Sequence, residues 1–301
     1  MSSFALPDAA ETAAYAAAVG GELRVLVNRP RAGVTEQLRL RAGGAIEALA
    51  PLPLVAAGAA ACGATLLVTG SDGAGAPLVA GVAEDGRVEW RTGLPGPLPT
   101  RWPLPGCAPG PTLAWQTRRE ALEVAAVGPE GIGDVRSLPV GGPPLELSIG
   151  GGAVWAAWPE PGGVRLAALR GSAVESILLP AAFPSHAAVG ALEGGGAAVA
   201  WTEARGTFLT LVGPGAGPSA ALDPGPAAGG RLAVVPGPEP LVWVRRREAP
   251  EGEEPVSVSA LVLPGRAPVR VHEPVFAVAW WGRRIAAVCA REVRLFDREG
   301  A

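Results

Sequence analysis

The stretch 186–224 reads HAAVGALEGGGAAVAWTEARGTFLTLVGPGAGPSAALDP, and it decides the fold. Short apolar runs alternate with turns rich in glycine and proline, which is typical of short β-strands. We name the four strands a to d in chain order: 186–192, 197–201, 207–212 and a last strand that ends at Pro224. The same order of runs and turns recurs along the chain, so we expect an all-β protein built from one repeated unit.

Large apolar residues at the end of each strand b mark the repeat. They follow one another at steps of 41, 47, 43, 43, 42 and 45 residues: Val27, Val68, Trp115, Trp158, Trp201, Trp243 and Val288. A four-stranded propeller blade has about this length, roughly 40–50 residues. The chain therefore resembles the seven-bladed β-propeller superfold, with a WD-repeat-like architecture. It contains no Trp-Asp or Gly-His dipeptide and only one tyrosine, so WD, kelch and other named signatures are lacking.

The seventh unit has three strands, at 275–281, 284–290 and 292–297, before the chain ends. The run SFALPD at 3–8 has the apolar pattern and the Leu-Pro ending of other fourth strands. Pairing of 3–8 with 292–297 removes two unprotected sheet edges, so we expect the N-terminal strand to complete the last blade. We expect the tryptophans of strand b to be buried between blades, where wedge-shaped gaps accept large rings.

The repeat predicts a single domain over 1–301. Its blades lie at about 9–50, 51–97, 98–142, 143–182, 183–226, 227–274 and 275–301 plus 3–8. The first blade leaves an alternative open. Residues 9–19 form strand a if the blade is complete, yet Asp8 and Glu11 have the spacing of a helical capping box and Gly20-Gly21 is a helix stop.

Composition limits the partners and the compartment. The net charge is −3 and the chain has no lysine, so neither a nucleic-acid nor a membrane partner is expected. The uncharged stretch 48–71 imitates a membrane span, but Pro51, Pro53 and Gly58 divide it into strands. The first 20 residues lack the basic start of a secretory signal. The abundance of glycine and proline and the absence of lysine are typical of a GC-rich bacterial genome. We expect a protein of a bacterial cytoplasm, with Cys62, Cys107 and Cys289 as small buried thiols.

No residue pattern indicates catalysis, a cofactor or a metal. The two histidines, His186 and His272, have no cluster of cysteines or carboxylates at ligand spacing. The stretch 70–75 has one carboxylate where a calcium loop needs several. The glycines of GPEGIG at 128–133 join two strands and open no helix that could hold a phosphate. We expect no catalytic, cofactor-binding or metal-binding residues.

Arginine recurs near the turns between strands b and c. These residues are Arg29, Arg31, Arg118, Arg119, Arg205, Arg245, Arg246, Arg247 and Arg291. On one face of a propeller they predict a surface for an acidic protein partner, because guanidinium groups bind carboxylates bidentately. The alternative is a set of solvated turns, since acids such as Glu203 and Glu292 stand beside them. The segment 245–256 is the longest of these turns and the expected centre of the contact.

Two functions remain open at this point. The first is a non-catalytic scaffold or adaptor, monomeric and cytoplasmic, that binds a protein through the arginine-bearing face. The alternative is an enzyme or small-ligand-binding protein that uses the mouth of the central channel. The second function requires ionisable residues on the innermost strands, which consist here mainly of alanine, glycine, valine and leucine, with Glu146 as the main exception.

Overall fold

The chain is all-β and has the fold of a seven-bladed β-propeller with antiparallel blades. The structure, a computed structural model, describes residues 1–7, 14–94, 102–118, 121–139, 146–213, 219–222, 231–248 and 256–298, without the side chains of 117, 118, 246–248, 256 and 257. The blades belong to two compact units, which we describe separately. The first unit contains blades 1, 2, 3 and 7, and the second contains blades 4, 5 and 6.

The strands of the first unit follow the predicted order a to d. Strand β1 (Ser2–Ala5) precedes blade 1, which contains β2 (Ala14–Val19), β3 (Glu22–Arg29), a 3₁₀ turn (Pro30–Ala32), β4 (Val34–Leu40) and β5 (Ile46–Leu52). Blade 2 contains β6 (Val55–Cys62), β7 (Thr65–Ser71), β8 (Pro77–Val82) and β9 (Val88–Gly93). Blade 3 contains β10 (Leu104–Cys107), β11 (Pro111–Arg118) and β12 (Ala121–Gly128), and its fourth position is divided into β13 (Gly131–Ile132) and β14 (Arg136–Pro139).

The second unit has the same order. Blade 4 contains β15 (Glu146–Gly150), β16 (Ala153–Glu160), β17 (Gly163–Arg170) and β18 (Ala173–Pro180). Blade 5 contains β19 (His186–Ala191), β20 (Ala197–Glu203), β21 (Gly206–Val212) and β22 (Ala220–Leu222). Blade 6 contains β23 (Arg231–Val235), β24 (Leu241–Glu248), β25 (Val256–Val262) and β26 (Val269–Val271).

Blade 7 is completed by the N-terminus, as predicted. Its own strands are β27 (Val275–Trp281), β28 (Arg284–Cys289) and β29 (Glu292–Asp297). Strand β1 pairs antiparallel with β29, from Ser2 opposite Leu295 to Ala5 opposite Glu292. The backbone N–H of Leu6 extends this pairing with a 2.8 Å bond to the carbonyl of Arg291. The edge of β29 is therefore covered by a strand from the other end of the chain.

Two stretches that resemble helices in the sequence form strands in the structure. Residues 14–19 form β2 and not a helix, whereas 8–13 lie outside the described residues. The uncharged stretch 48–71 forms the end of β5 together with β6 and β7. In the described part of the chain, no helix has the length and apolarity needed to cross a membrane.

A blade with a neighbour on each side within its unit packs one face against each of them, because side chains alternate along a strand. Strand β20 shows the division. Ala197, Val199 and Trp201 join the cluster shared with blade 4, whereas Ala198 and Ala200 join the cluster shared with blade 6. In the first unit the same alternation directs β3 towards blade 7 with one set of residues and towards blade 2 with the other.

The tryptophans at the ends of strands b are buried, as predicted. Trp115, Trp158, Trp201 and Trp243 are each less than a tenth exposed. Trp115 packs in the cluster shared by blades 2 and 3, and Trp201 packs in the one shared by blades 4 and 5. These two rings therefore act as wedges between blades and not as an exposed binding surface.

The prediction of three free thiols is wrong for two of them. Cys62 and Cys107 form a disulfide, with their Cα atoms 5.1 Å apart, whereas Cys289 is a buried free cysteine. The pair joins the last residues of β6 and β10, the innermost strands of blades 2 and 3. The two cysteines are 45 residues apart in sequence, one repeat, which places them at equivalent ends of neighbouring strands. The pairing is not evident from the cysteines alone, because it depends on the register of β6 against β10.

Close approach of the innermost strands leaves no room for a side chain at Gly190 in β19. A Cβ atom there would lie 2.5 Å from Cγ1 of Val234 in β23 and 3.0 Å from the Val234 carbonyl oxygen. At Gly194, in the next turn, a Cβ atom would meet no atom within 4 Å. Both positions have ordinary negative φ values, so the pair separates crowding from backbone strain.

We expect Gly190→Ala to lower the free energy of unfolding by roughly 1–3 kcal/mol, because overpacking forces neighbouring strands apart. Urea unfolding monitored by tryptophan fluorescence measures the change. Gly194→Ala is the matched control and should change stability by less than about 0.5 kcal/mol. Equal stability of the two variants would show that β19 and β23 are not in close contact.

Candidate partner-binding site

The second unit presents one edge at which strands b end and strands a begin. In blade 5 this edge contains the end of β20 at Glu203, the turn to β21, and the connection 181–185 that leads into β19. The connection is attached to the blade by the N–H of Ser185, which donates a 2.9 Å bond to the carbonyl of Thr202. The turn and the connection are therefore held side by side.

A single buried carboxylate, Glu203, organises this edge. Its Oε1 accepts hydrogen bonds from the indole N–H of Trp201 at 3.0 Å and from the backbone N–H of Ala182 at 3.1 Å. Its Oε2 accepts from Nη2 and Nε of Arg205 at 2.9 and 3.3 Å. The carboxylate thus joins the core, the connection from blade 4 and an arginine of the turn.

The pKa of Glu203 lies below its ordinary value. Burial raises this pKa, but the hydrogen bonds from Trp201, Arg205 and Ala182 favour the charged form and lower it further than burial raises it. The side chain therefore stays ionised at neutral pH although it is buried. Its negative charge is what holds Arg205 in place.

Arg205 is fixed at its base and open at its tip. Its guanidinium lies 5.6 Å from the centroid of the Phe208 ring, and Phe208 is in turn stacked on Trp201. The side chain is nevertheless 72% exposed. A guanidinium has five N–H donors, and Glu203 engages only those on Nε and Nη2. The remaining N–H donors of this preorganised guanidinium are therefore available to a partner on the solvent side.

Phe183 is the most exposed large apolar side chain of the described residues, at 95%. It is also the one described non-glycine residue with a positive φ, 55°. A left-handed backbone conformation costs an ordinary residue on the order of 1–3 kcal/mol, and such strain concentrates at functional positions. Burial of the ring does not offset this strain, because the Phe183 side chain is exposed to solvent. An exposed aromatic residue is typical of an interface anchor, and Phe183 follows Ala182, whose N–H binds the carboxylate that also holds Arg205.

The arginines predicted in the first unit occupy the expected turns but differ in their surroundings. Arg29 ends β3 and forms a 2.8 Å salt bridge with Glu36. Arg31 lies exposed in the 3₁₀ turn, and Arg291 lies exposed between β28 and β29. Arg118 is the last residue of β11, and the structure describes its backbone only. Arg119 lies outside the described residues.

The long turn of blade 6 is shorter than the sequence predicted. Strand β24 continues through Arg245, Arg246 and Arg247, and Glu248 pairs with Val256 of β25. The expected centre of the contact, 245–256, therefore consists partly of strand, and 249–255 lie outside the described residues. Extended pairing of β24 and β25 outweighs the high charge density from which a turn was inferred.

Arg245 is half-buried and lies over the Trp243 ring, with its guanidinium carbon 4.3 Å from the centroid. Its direct cross-strand neighbour is Arg231, the first residue of β23. Burial lowers the pKa of Arg245, and the positive charge of Arg231 lowers it further. Like charges on opposite strands repel each other, so an anionic group brought to this pair would be favoured.

A second polar centre, which no sequence pattern indicates, lies between blades 1 and 2. Arg24 of β3 is 1% exposed, and none of its three guanidinium nitrogens has a hydrogen-bond partner among the described residues. Burial and the nearby Arg39 lower its pKa, whereas Glu22, Glu84 and Asp85 act in the opposite direction. The carboxylates only partly offset burial and Arg39, because the pKa of Arg24 is lowered overall.

The innermost strands carry few groups that could support chemistry. The described ionisable side chains on them include Glu146, which starts β15, together with His186 and Arg231 at the first positions of β19 and β23. No group of three or more histidine, cysteine, aspartate or glutamate side chains with metal-binding geometry occurs among the described residues. At the start of β19, the hydroxyl of Ser185 lies 3.3 Å from Nδ1 of His186, and both side chains are exposed.

Comparison with known proteins identifies the fold and no family. No protein-family model and no curated protein sequence matches the chain. Among solved structures, the chain is similar to Kuenenia stuttgartiensis hydrazine synthase, with 14% identity, a TM-score of 0.60 and coverage of 98% of this chain and 97% of that one. It is also similar to a chain of the mitotic checkpoint complex, with 13% identity, a TM-score of 0.60 and coverage of 98% and 90%.

A third similar structure is the β-propeller domain of Cps50 (Swd1) from Myceliophteria thermophila. The identity is 11%, the TM-score is 0.60, and the alignment covers 97% of this chain and 98% of that domain. Identities this low establish a shared β-propeller fold and do not transfer residues or activities.

The sequence predicts Arg205 as a contact residue, but it does not indicate the residues that surround Arg205 in the structure. Phe183 stands in the segment AAFPS, where nothing marks a left-handed backbone or an exposed ring. One signal was present: a single large aromatic residue in an otherwise small connection, followed by Pro184, which disfavours the right-handed helical conformation for the preceding residue. Glu203 was interpreted as a solvated neighbour of Arg205, and only its burial shows that it joins three elements.

We expect Glu203→Gln to lower the free energy of unfolding by roughly 1–3 kcal/mol at pH 7, since one amide cannot accept from Trp201, Ala182 and Arg205 together. The folded pKa of Glu203 is depressed, so its contribution is complete above the ordinary carboxyl value of 4.5 and is lost as the pH falls through the folded pKa. The variant should therefore lose less stability on acidification than the wild type. Urea unfolding at several pH values measures both effects.

Glu160→Gln is the matched control for that substitution. Glu160 also ends a strand b, in blade 4, but it pairs with Arg165 alone and is less enclosed. Its replacement should cost less than about 1 kcal/mol, as is usual for accessible ion pairs. If the two variants lose equal stability, Glu203 does not organise the edge.

Proposed function

We propose that this protein is a non-catalytic scaffold or adaptor of a bacterial cytoplasm, and that it binds a partner protein through the edge at which strands b end and strands a begin. The observation that carries the proposal is the position of Glu203 between two exposed groups. Its carboxylate binds the N–H of Ala182, which precedes the strained and exposed Phe183, and it also binds the guanidinium of Arg205. Interfaces concentrate their binding energy in such few, preorganised residues.

The partner surface in this proposal is acidic. Arg205 retains donors for a carboxylate, and Arg231 and Arg245 hold two positive charges on neighbouring strands of blade 6. Further contacts come from the other turn arginines, which are Arg29, Arg31, Arg118, Arg119, Arg246, Arg247 and Arg291. One similar structure is described as a complex of proteins, which supports a role in assembly. The chain acts as a monomer in this proposal and needs no nucleic acid, membrane or cofactor.

Charge reversal at Arg205 and truncation of Phe183 test the surface. A partner is first isolated from the native host with the wild-type protein, and its affinity for purified variants is then measured by calorimetry. We expect Arg205→Glu and Phe183→Ala each to weaken binding by about tenfold or more, since each removes a central contact. Binding should also weaken as salt concentration rises, because the partner is attracted by charge.

Arg283→Glu is the control for charge. Arg283 is an exposed arginine in the turn between strands a and b of blade 7, away from strand b ends, so its reversal should leave affinity unchanged. If the isolated partner binds both Arg205→Glu and Phe183→Ala with wild-type affinity, this edge is not the interface. If no protein is isolated specifically, the adaptor function itself fails.

The disulfide gives an independent test of the compartment. Disulfides are rare in a reducing cytosol, so the Cys62–Cys107 bond opposes the cytoplasmic part of the proposal. Alkylation of thiols in intact native cells, followed by denaturation and mass spectrometry, measures the state of each cysteine. A cytoplasmic protein should have alkylatable Cys62 and Cys107 after denaturation. Recovery of the two as a disulfide, with only Cys289 alkylated, would assign the protein to an oxidising compartment.

A further inference from the structure

The outermost strand of blade 4 differs from its counterparts. Strand β18 is eight residues long, Ala173–Pro180, and in the described part of the chain it pairs only with β17. The outermost strands of blades 3, 5, 6 and 7 have two to four residues. The outermost strand of blade 1 has seven residues, and that of blade 2 has six. Sheet edges in soluble proteins are usually short or charged, because unpaired backbone groups recruit other strands.

The side chains of β18 are unusually apolar for such an edge. Val174, Ile177 and Leu178 are 52%, 42% and 40% exposed. With Phe183, they place four of the seven large exposed apolar residues of the described chain within ten consecutive positions. The strand has one charged residue, the exposed Glu175, and no basic residue. By contrast, β14 and β26 carry Arg136 and Arg270, and β9 carries Glu89 and Arg91.

The turn before β18 determines which backbone groups face outwards. Gly171 and Ser172 form a two-residue hairpin turn closed by the pair Arg170 and Ala173, with Gly171 at φ 54°. The closing pair of such a hairpin exchanges both of its hydrogen bonds, and bonding alternates from there. Residues 173, 175, 177 and 179 therefore bond to β17. Val174, Ser176 and Leu178 direct their N–H and C=O groups away from the sheet.

We infer that β18 binds an extended segment of the partner protein, which adds to blade 4 as a fifth strand. The segment has apolar side chains for Val174, Ile177 and Leu178, and a lysine or arginine for Glu175. The charge of Glu175 selects this occupant over a second copy of the chain, because β18 has no basic residue with which two copies could neutralise it. Strand addition gives affinity through main-chain hydrogen bonds and specificity through alternate side chains.

This inference rests on the proposed function only in that the occupant belongs to a protein partner. The edge strand continues through Pro180 towards Phe183, so one partner reaches both surfaces. The two contacts differ in charge: the segment on β18 is basic, and the surface at Arg205 is acidic. Each contact can therefore be removed without the other.

The test uses a displayed library of random twelve-residue peptides, selected on the wild-type protein, and synthetic copies of the enriched sequences. We expect enriched peptides to contain apolar residues on both faces of the added strand, together with lysine or arginine. Ser176→Pro should weaken their binding by at least about tenfold, since it removes an outward N–H from the centre of the edge. Its melting temperature should stay close to that of the wild type, because that N–H does not bond to β17.

Glu175→Pro is the matched control on the same strand. It removes an inward N–H, so it should lower the melting temperature, unlike Ser176→Pro. Glu175→Lys tests the charge and should shift the selected peptides from basic to acidic. Hydrogen exchange should show new protection of the amides of Val174, Ser176 and Leu178 on peptide binding.

Three outcomes overturn the inference: no peptide is enriched, enriched peptides bind Ser176→Pro as well as the wild type, or the wild type is a dimer in sedimentation that Ser176→Pro dissociates. The last result would make a second copy the occupant. None of these outcomes depends on Arg205 or Phe183. Failure of strand addition is therefore distinguishable from failure of the proposed function, which is measured with those two residues.

Discussion

The constraint on which the structure depends is that a blade between two others, such as blade 1, 2 or 5, must pack both of its faces against its neighbours. A sheet buried on both sides needs apolar side chains at every position of its central strands, and β20 meets this need with AAVAW. Neighbouring innermost strands also approach closely, which only small residues allow. Gly190 against Val234 shows how little space remains. Alanine and glycine, which look like compositional bias in the sequence, are therefore requirements of the packing at these positions.

Polar side chains at a few points connect adjacent blades in register. Asn28 of blade 1 donates from its amide to the carbonyl of Ala56 in β6 and accepts from the Ala56 N–H. The hydroxyl of Thr69 in blade 2 donates to the carbonyl of Pro103, just before blade 3. Apolar packing is non-directional, whereas these buried bonds have fixed geometry and specify one position of a blade against the next. Glu203 has the same role between blades 4 and 5, through Ala182.

The fold followed from the sequence because it is set by periodic features. The spacing of the large residues from Val27 to Val288, and the Leu-Pro run near the N-terminus, were sufficient to predict seven blades and the pairing of β1 with β29. The Cys62–Cys107 bond was missed, although its spacing is one repeat, because neighbouring innermost strands were not aligned residue by residue. The length of β24 was also missed, since arginines in a strand resemble those in a turn.

The candidate site was only partly predictable, for a physical reason. The sequence shows that an arginine lies near a turn. Whether its guanidinium is available to a partner depends on which carboxylate binds it and on how exposed it is. Arg29 is paired with Glu36, whereas Arg205 is supported by a buried carboxylate that leaves its outer donors available. Phe183 depends even more on context, because a positive φ arises from the way both ends of the connection are attached.

The second unit thus concentrates departures from ordinary surface design in one continuous segment. Strand β18 exposes aliphatic side chains and outward backbone groups. In the connection after it, Phe183 is exposed and has a strained backbone conformation. Several other outer strands carry arginine, as β9, β14 and β26 do, so β18 does not reflect a general lack of charged residues at these edges. An exposed apolar edge lowers solubility and invites aggregation. The cost of keeping both features is offset if a partner covers them, as the proposed complex requires.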